Sequence, residues 1–443
     1  MSHQDTIAAI ATAPGQGGIG IVRISGKKVL SIAQTILHRS PEPRYAHYTN
    51  FNNADEEVID QGLVLYFAKP NSFTGEDVLE LQGHGGPVVL DRILKRVIEL
   101  GARHARAGEF SERAYLNNKI DLAQAEAIAD LIAAESEQSA KAAIHSLQGE
   151  FSHSINQLVE QITSLRVHVE SALDFPEEEI DFLADKVIAD KLSAIQQQLS
   201  QVKKSCKQGA LLREGLRVVI TGKPNAGKSS LLNQLAGLES AIVSDVPGTT
   251  RDVLREHIQI QGIPLHIIDT AGMRESTDAI EKEGVRRAQK EIEQADIILH
   301  LIDASTYDAP SYEIESGNRK QIVVYNKVDL TELAIHSEDS AVWISAKTGE
   351  GIDELKALLL KTMGIDSASQ QEGLFSARTR HVAAIIKAEK HLLLASDALH
   401  RQQAGEIMAE ELRLTQNELS GITGAFSSDD LLGKIFSEFC IGK

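Results

Sequence analysis

Apolar positions fall into three textures along the chain. Up to residue 117, short β-favouring runs (residues 6–12, 19–24, 62–67 and 78–82) are separated by glycine-rich turns, which predicts a small α+β domain. From 118 to 213 the period lengthens. Leu122, Ala125, Ile128 and Ile132 recur at three- and four-residue steps, the spacing of a helix with one buried face. An acidic stretch at 175–182 interrupts this region. From 214 to 365, apolar runs such as L-R-V-V-I-T-G, I-P-L-H-I-I-D and A-D-I-I-L-H-L-I-D alternate with helical segments. That rhythm predicts a parallel sheet with crossover helices. A polar linker at 366–373 follows, and helical texture returns to residue 443, with Val382, Ile386 and Leu393 expected on one stripe. The simplest architecture is multidomain, α/β plus α: an N-terminal α+β domain, then a helical domain (118–213 and 366–443) interrupted by a complete α/β domain.

Composition narrows the function classes. The 443 residues carry a net charge of −18, which argues against broad non-specific binding to nucleic acid or anionic membrane. A local basic patch, or a nucleic-acid substrate shared with a partner, stays open. Cys206 and Cys440 are the only thiols, so no disulfide framework or Cys-rich zinc site is expected. The first ten residues lack the pattern of a signal peptide. No uncharged apolar run approaches the roughly 18 residues that span a bilayer. The expectation is a cytoplasmic protein without a membrane segment. The final F-C-I-G-K lacks the aliphatic positions of a prenylation box. Cys440 is therefore left as part of a loose end or as a functional thiol.

The strongest chemical signal is G-K-P-N-A-G-K-S at 222–229, between an apolar strand and the helical S-S-L-L-N-Q-L. It matches G-x-x-x-x-G-K-[ST] in the required context. Its glycines let successive backbone N–H groups face phosphate oxygens, and the helix N-terminus adds partial positive charge. Asn225, Ala226, Gly227, Lys228, Ser229 and Ser230 are the expected phosphate-loop residues. Lys228 reaches the β- and γ-phosphates and Ser229 ligates Mg2+. Downstream, D-T-A-G supplies Asp269, Thr270, Ala271 and Gly272, with Asp269 placed to hold Mg2+ through water. N-K-V-D supplies Asn326, Lys327 and Asp329, whose carboxylate can accept two bonds from guanine and none of that kind from adenine. S-A-K (Ser345, Ala346, Lys347) offers backbone donors to guanine O6. Between them, G-T-T-R-D provides Thr250 as the switch threonine for Mg2+ and the γ-phosphate. GTP, not ATP, is the expected nucleotide.

Two details bear on hydrolysis. Met273 stands where Ras-like enzymes place a water-orienting glutamine, and methionine cannot do that work. Asn225 offers a side-chain carbonyl that can hold a monovalent cation, whose charge would replace an arginine finger.

These motifs resemble the translation-factor-related, Era-like GTPases. Together with A-P-G-Q-G-G-I-G-I-V-R-I-S-G, S-F-T-G-E-D-V-L-E-L, F-S-E-R-A-Y-L-N-N-K-I-D-L and the C-I-G-K terminus, the full length resembles the MnmE (TrmE) family of tRNA-modification GTPases. The resemblance implies an N-terminal domain that binds tetrahydrofolate and dimerises, and an inserted Ras-like P-loop GTPase domain. It implies modification of C5 of the wobble uridine in certain tRNAs, giving carboxymethylaminomethyl- or aminomethyl-type uridine. An FAD-dependent partner, MnmG (GidA), shares the work, and a 5-formyl or 5,10-methylene tetrahydrofolate supplies the carbon. GTP hydrolysis would depend on K+ and on pairing of two G domains in a homodimer. Asn225, Ser244, Val246 and Thr249 would surround K+. Ser244, Asp245, Val246, Pro247, Gly248, Thr249 and Thr250 would form the switch I contacts. Glu281 would orient the attacking water in place of Met273. Arg23, Glu80, Lys119 and Lys443 would contact folate, and Cys440 would lie beside that chemistry.

Two decoys fall on context. Gly15 to Gly20 satisfies G-x-G-x-x-G, but a strand-like I-V-R-I-S follows where a dinucleotide fold needs a helix. Gly421 to Gly424 imitates a KH-domain clamp, yet its neighbours Glu418, Asp429 and Asp430 are acidic. Two other functions compete with tRNA modification: a regulatory or ribosome-assembly GTPase, and a folate protein with a regulatory G domain.

Overall fold

The computed structural model describes residues 5–174, 186–238, 255–260, 262–269, 293–306, 320–363, 374–402, 404–425, 429–437 and 439–442. These divide into two compact units: Met1–Ala129, Ser152–His168 and Ala409–Lys443 in the first, Asp130–Phe151 and Val169–Met408 in the second.

The first unit holds a six-stranded mixed sheet, ordered β3-β4-β5-β2-β1-β6. Its strands are β1 (Ile7–Ile10), β2 (Gly17–Ser25), β3 (His47–Asn52), β4 (Val58–Phe67), β5 (Val78–Gly85) and β6 (Arg103–His104). Alternation puts Val22, Ile24, Val64, Leu79 and Leu81 on one face, where they are buried. Helices α1 (Val29–Leu37) and α2 (Pro87–Glu99) cover that face with Ile32, Ile36, Ile93 and Val97. Pro87 opens α2 where its missing N–H costs nothing. On the other side of β1, Ile7 and Ala9 cluster with Phe110 of α3 (Glu109–Leu116). The polar edge strand β3, H-Y-T-N-F-N, has no apolar alternation beyond Phe51 and was not expected from the sequence.

Helices α4 (Leu122–Ile132), α5 (Glu137–Leu147), α6 (Glu150–Asp174) and α7 (Lys186–Glu214) follow. The expected stripe on α4 holds only in part: Leu122 and Ala125 are buried, but Ile132 is 46% exposed. A capping box starts α5, with Ser136 Oγ accepting from the Ser139 amide and Ser139 Oγ accepting from the Ser136 amide, both at 3.0 Å. Later come α10 (Thr379–Asp397), α11 (Gly405–Thr423) and α12 (Asp429–Ser437), after α8 and α9 of the second sheet. On α10 the expected stripe needs correction. Ile386 and Leu393 are exposed, and the buried set is His381, Ile385, Ala388, Leu392 and Ala395, rotated by one residue. The apolar run L-L-L fits either phase, and packing against α7 selects the one that includes the buried His381.

The second unit carries the other six-stranded sheet, ordered β12-β11-β10-β7-β9-β8. Its strands are β7 (Leu216–Gly222), β8 (Arg255–Ile260), β9 (Ile263–Asp269), β10 (Ile297–Asp303), β11 (Lys320–Asn326) and β12 (Ala341–Trp343). All neighbours run parallel except β8 with β9. Helices α8 (Lys228–Leu238) and α9 (Ile352–Thr362) complete the described part. From β7 the chain goes to the edge strand β8, returns in β9 beside β7, then crosses to β10, β11 and β12 on the other side. Ligands of such sheets bind beyond the carboxyl ends of the strands near that crossing. The predicted motifs lie there.

No helix among the described residues is long and apolar enough to cross a membrane. Nor do those residues hold three or more His, Cys, Asp or Glu side chains grouped to bind a metal.

Candidate functional site

In the second unit, β7 ends at Gly222 and α8 begins at Lys228, so 223–227 form the turn the motif demands. Asn225 sits at φ 62° and Gly227 at φ 96°, both in the left-handed region. A Cβ on Gly227 would lie 2.1 Å from Asn326 Nδ2, so only glycine fits. Lys228 is buried, and its ammonium donates to the carbonyls of Gly222 (3.0 Å) and Lys223 (2.9 Å), folding back over its own loop. Ala226 is buried, whereas Asn225, Ser229 and Ser230 are exposed at the mouth. Behind the loop, Thr221 Oγ1 lies 3.1 Å from Nδ1 of its register partner His300, whose pKa burial pushes down. Asp269, the last residue of β9, is in register with Ile220 of β7, two positions before Gly222.

The guanine side is tied directly to this loop. Asn326 is buried; its Nδ2 donates to the Ala226 carbonyl at 2.8 Å and its Oδ1 accepts from the Ala346 amide at 2.9 Å. Ser345 Oγ donates to Asp329 Oδ1 at 2.7 Å. Lys327 adopts φ 68°, and its ammonium lies 2.6 Å from Asp303 Oδ2. Lys347 follows on the exposed rim. The Ala346 amide, one of the donors expected at guanine O6, is bonded here to Asn326 Oδ1. Ser244, Asp245, Val246, Pro247, Gly248, Thr249, Thr250, Thr270, Ala271, Gly272, Met273, Glu281 and Lys443 lie outside the described residues.

The first unit holds a second constellation. Arg23 of β2 and Glu80 of β5 are register partners in an antiparallel pair, so both side chains leave the same face. Arg23 Nε and Nη2 reach Glu80 Oε1 at 3.0 and 2.9 Å. The guanidinium lies 5.8 Å from the Phe110 ring centroid and 6.0 Å from that of Phe73, within cation–π range. Its Nη1 also donates to the Gly442 carbonyl at 3.4 Å.

The tail is thus seated. Phe436 and Phe439 pack with Leu122 and Ala125, the Gly108 amide donates to the Cys440 carbonyl, and Ile441 forms a bridge with Ala107. Cys440 is exposed, while Cys206 is buried, which pushes its thiol pKa up.

Lys119 meets the segment just before Phe73. Its ammonium donates to the Pro70 carbonyl at 3.1 Å, and it lines an open cleft of about 520 Å³ with Asn118, Asp121, Gln124 and Asn156. The loop that bears Phe73 is pinned from below. Asn117 Nδ2 donates to the Thr74 carbonyl, the Thr74 hydroxyl meets Ser25, and Ser25 Oγ donates to Glu76. Arg113 in turn pairs with Glu76, Glu109 and Asp5. Sequence reasoning did not find Phe73, Phe110, Arg113 or Asp303. All four lie in quoted segments (Phe73 in S-F-T-G-E-D, Phe110 and Arg113 in F-S-E-R-A-Y-L, Asp303 at the end of A-D-I-I-L-H-L-I-D), but nothing local in those strings marks them out.

Known proteins supply the remaining comparison. Residues 6–119 match the model for the GTP-binding protein TrmE N-terminus, and residues 122–440 match that for the MnmE helical domain. A tRNA modification GTPase MnmE of Saccharophagus degradans is 58% identical over 99% of each chain. Its counterpart in Proteus mirabilis is 55% identical over the full length of both. Among solved structures, Aquifex aeolicus Era bound to GDP.AlF4- is 31% identical, covering 40% of this chain and 67% of its own at a TM-score of 0.28. With both family models matched and full-length relatives at this identity, the chain belongs to the MnmE (TrmE) family of tRNA modification GTPases.

Proposed function

We propose that this protein is a K+-dependent GTPase that acts with an FAD-dependent partner of the MnmG type. Together they would modify C5 of the wobble uridine in certain tRNAs to carboxymethylaminomethyl- or aminomethyl-type uridine, using a tetrahydrofolate one-carbon unit. The observation that carries this reading is the seating of the tail on Arg23, which brings Glu80, Phe73, Phe110 and the Cys440 segment to one face of the N-terminal sheet. A guanidinium paired with a carboxylate beside two aromatic rings suits a flat, polar heterocycle carrying a charged chain. Lys443, next in the chain, and Lys119, which meets the segment before Phe73, would add cations for that chain.

At the nucleotide site the donor set suits GTP. Lys228 would exchange its two loop carbonyls for β- and γ-phosphate oxygens. Asp329 would accept from guanine, with Asn326 holding the phosphate loop and the 345–347 turn in one frame. Ser229, Thr250 and Asp269 would hold Mg2+, which when bound neutralises charge developing on the phosphates. Asn225 is exposed at the loop mouth, an oxygen donor of the carbonyl type that K+ accepts. Glu281 would orient the water. Two copies paired through the N-terminal domain, with G domains meeting during hydrolysis, complete the reading.

The test is nucleoside analysis of tRNA from cells with and without the protein. Loss of the modified wobble uridine supports the proposal; unchanged nucleosides reject it in favour of a regulatory GTPase. The folate part is tested by titrating 5-formyltetrahydrofolate into wild type and Arg23→Ala: binding to the first alone is expected.

A further inference from the structure

We propose that Asp303 is a positioning residue for guanine-nucleotide binding, acting through Lys327. Asp303 is the last residue of β10 and lies outside the five nucleotide motifs. It is nevertheless the register partner of Asn326, the first residue of N-K-V-D. The two strands therefore deliver a carboxylate and the lysine after Asn326 to the same carboxyl edge of the sheet.

The geometry joins them. Asp303 Oδ2 takes the Lys327 ammonium at 2.6 Å, with both side chains partly shielded from water. Its other oxygen, Oδ1, accepts from the Ser305 amide at 3.0 Å and from Ser305 Oγ at 2.6 Å. The carboxylate is thus held at both ends. Burial alone would raise its pKa, but the hydrogen bonds from Lys327 and Ser305 hold it below the usual range.

Lys327 is in a conformation that lysine does not adopt freely. At φ 68° it occupies the left-handed region, between Asn326, bound to Ala226 and Ala346, and Asp329, bound to Ser345. Strain of this kind persists where the surroundings over-determine it. A lysine carries four rotatable side-chain bonds, and ordering them on ligand binding costs affinity. Asp303 orders them in advance. The ion pair holds the lysine side chain in one orientation, so the nucleotide meets a finished surface. Ser305 supports that arrangement one step further out.

The experiment uses the full-length protein and fluorescent methylanthraniloyl-GDP, with GTP turnover measured in parallel. Asp303→Asn keeps the shape and removes the anion. It is expected to weaken GDP binding about tenfold, mainly through faster release, and to raise KM for GTP more than it lowers kcat. Lys327→Ala should weaken binding at least as much. The double variant should be no worse than Lys327→Ala alone, because Asp303 acts only through the lysine. Losses that multiply in the double variant would overturn the proposal, as would unchanged GDP release in Asp303→Asn. Ser305→Ala, an exposed change, gives a reading that does not depend on how Asp303→Asn folds. A two- to threefold rise in GDP release supports the proposal, and no rise overturns it.

Discussion

Asn326 Nδ2 lies 2.8 Å from the main-chain oxygen of Ala226, a residue one hundred positions earlier. The bond connects the phosphate loop to the guanine-recognition motif, and the same side chain receives the Ala346 amide. Three separate loops are thus held by one buried amide. Replacing it with alanine strands a buried carbonyl and a buried N–H, each costing about 1–3 kcal/mol. Asn326→Ala should lower stability toward chemical denaturation by about 2–4 kcal/mol and reduce GDP affinity more than a hundredfold. Denaturation curves and fluorescent GDP titration check both. A variant with normal affinity would show that the loops are set independently.

Gly442 gives a separate lever on the first unit. Its φ is 98°, and a Cβ there would lie 2.4 Å from the Ile10 carbonyl. Gly442→Ala therefore combines a left-handed penalty of about 1–2 kcal/mol with a backbone collision. The tail should detach from β1 and Arg23. Expected results are faster hydrogen exchange at the Gly108 amide, which donates to Cys440, and at least tenfold weaker binding at the proposed folate site. GTP turnover should be unaffected, since no described contact of Gly442 reaches the nucleotide site.

These cases show what the sequence disclosed. The phosphate loop, D-T-A-G, N-K-V-D and S-A-K are local strings whose chemistry depends on adjacent residues, and most strands of the two sheets follow from period and order, though not the edge strands β3 and β8. Arg23 and Glu80 needed a family resemblance, because two isolated charges give no sign that they are register partners. Arg113 and its three carboxylates, from Asp5, Glu76 and Glu109, could not be read, since their separations reach 108 residues. The α10 stripe was displaced by one position because a run of three leucines fits two helical phases. Strand β3 escaped because an exposed edge strand needs few apolar residues.

Acid should expose the Arg113 network. Burial on its own would raise the Glu109 pKa, but hydrogen bonds from Arg103, the Arg106 amide and Arg113 outweigh it and hold the value below 4.5. For Asp5, burial is again the largest single effect and would raise the pKa, but Arg103 and Arg113 together outweigh it and hold it below its ordinary value. A depressed folded-state pKa means that the unfolded chain binds the proton first. Stability from these groups is fully present above their unfolded pKa values and is lost as pH falls through the folded ones. Wild type should therefore lose stability below about pH 4.5, and Glu109→Gln should start less stable at pH 7 with a shallower slope. Parallel slopes would show that other carboxylates control the acid transition.

The last prediction concerns the joints between helices and nucleotide sheet. Asp130 of α4, with its side chain 5% exposed, accepts from Arg213 Nε at 2.7 Å and Arg378 Nη2 at 2.9 Å. Its other oxygen takes the Ser376 hydroxyl at 2.7 Å. Arg213 stands at the end of α7, just before β7, and Arg378 immediately precedes α10. One carboxylate therefore fastens the point at which the chain enters the inserted domain to the start of the helix that follows it. Breaking a buried ion pair by removing one partner costs about 3–5 kcal/mol. Asp130→Ala should approach that loss, and Asp130→Asn, which keeps the volume and one acceptor, should lose less. The joint should also carry the effect of hydrolysis to the rest of the molecule. In Asp130→Asn, GTP turnover should stay within about threefold of wild type while tRNA modification falls further. Equal losses in both would make Asp130 a structural support alone. A normal modification level would show that the joint transmits nothing.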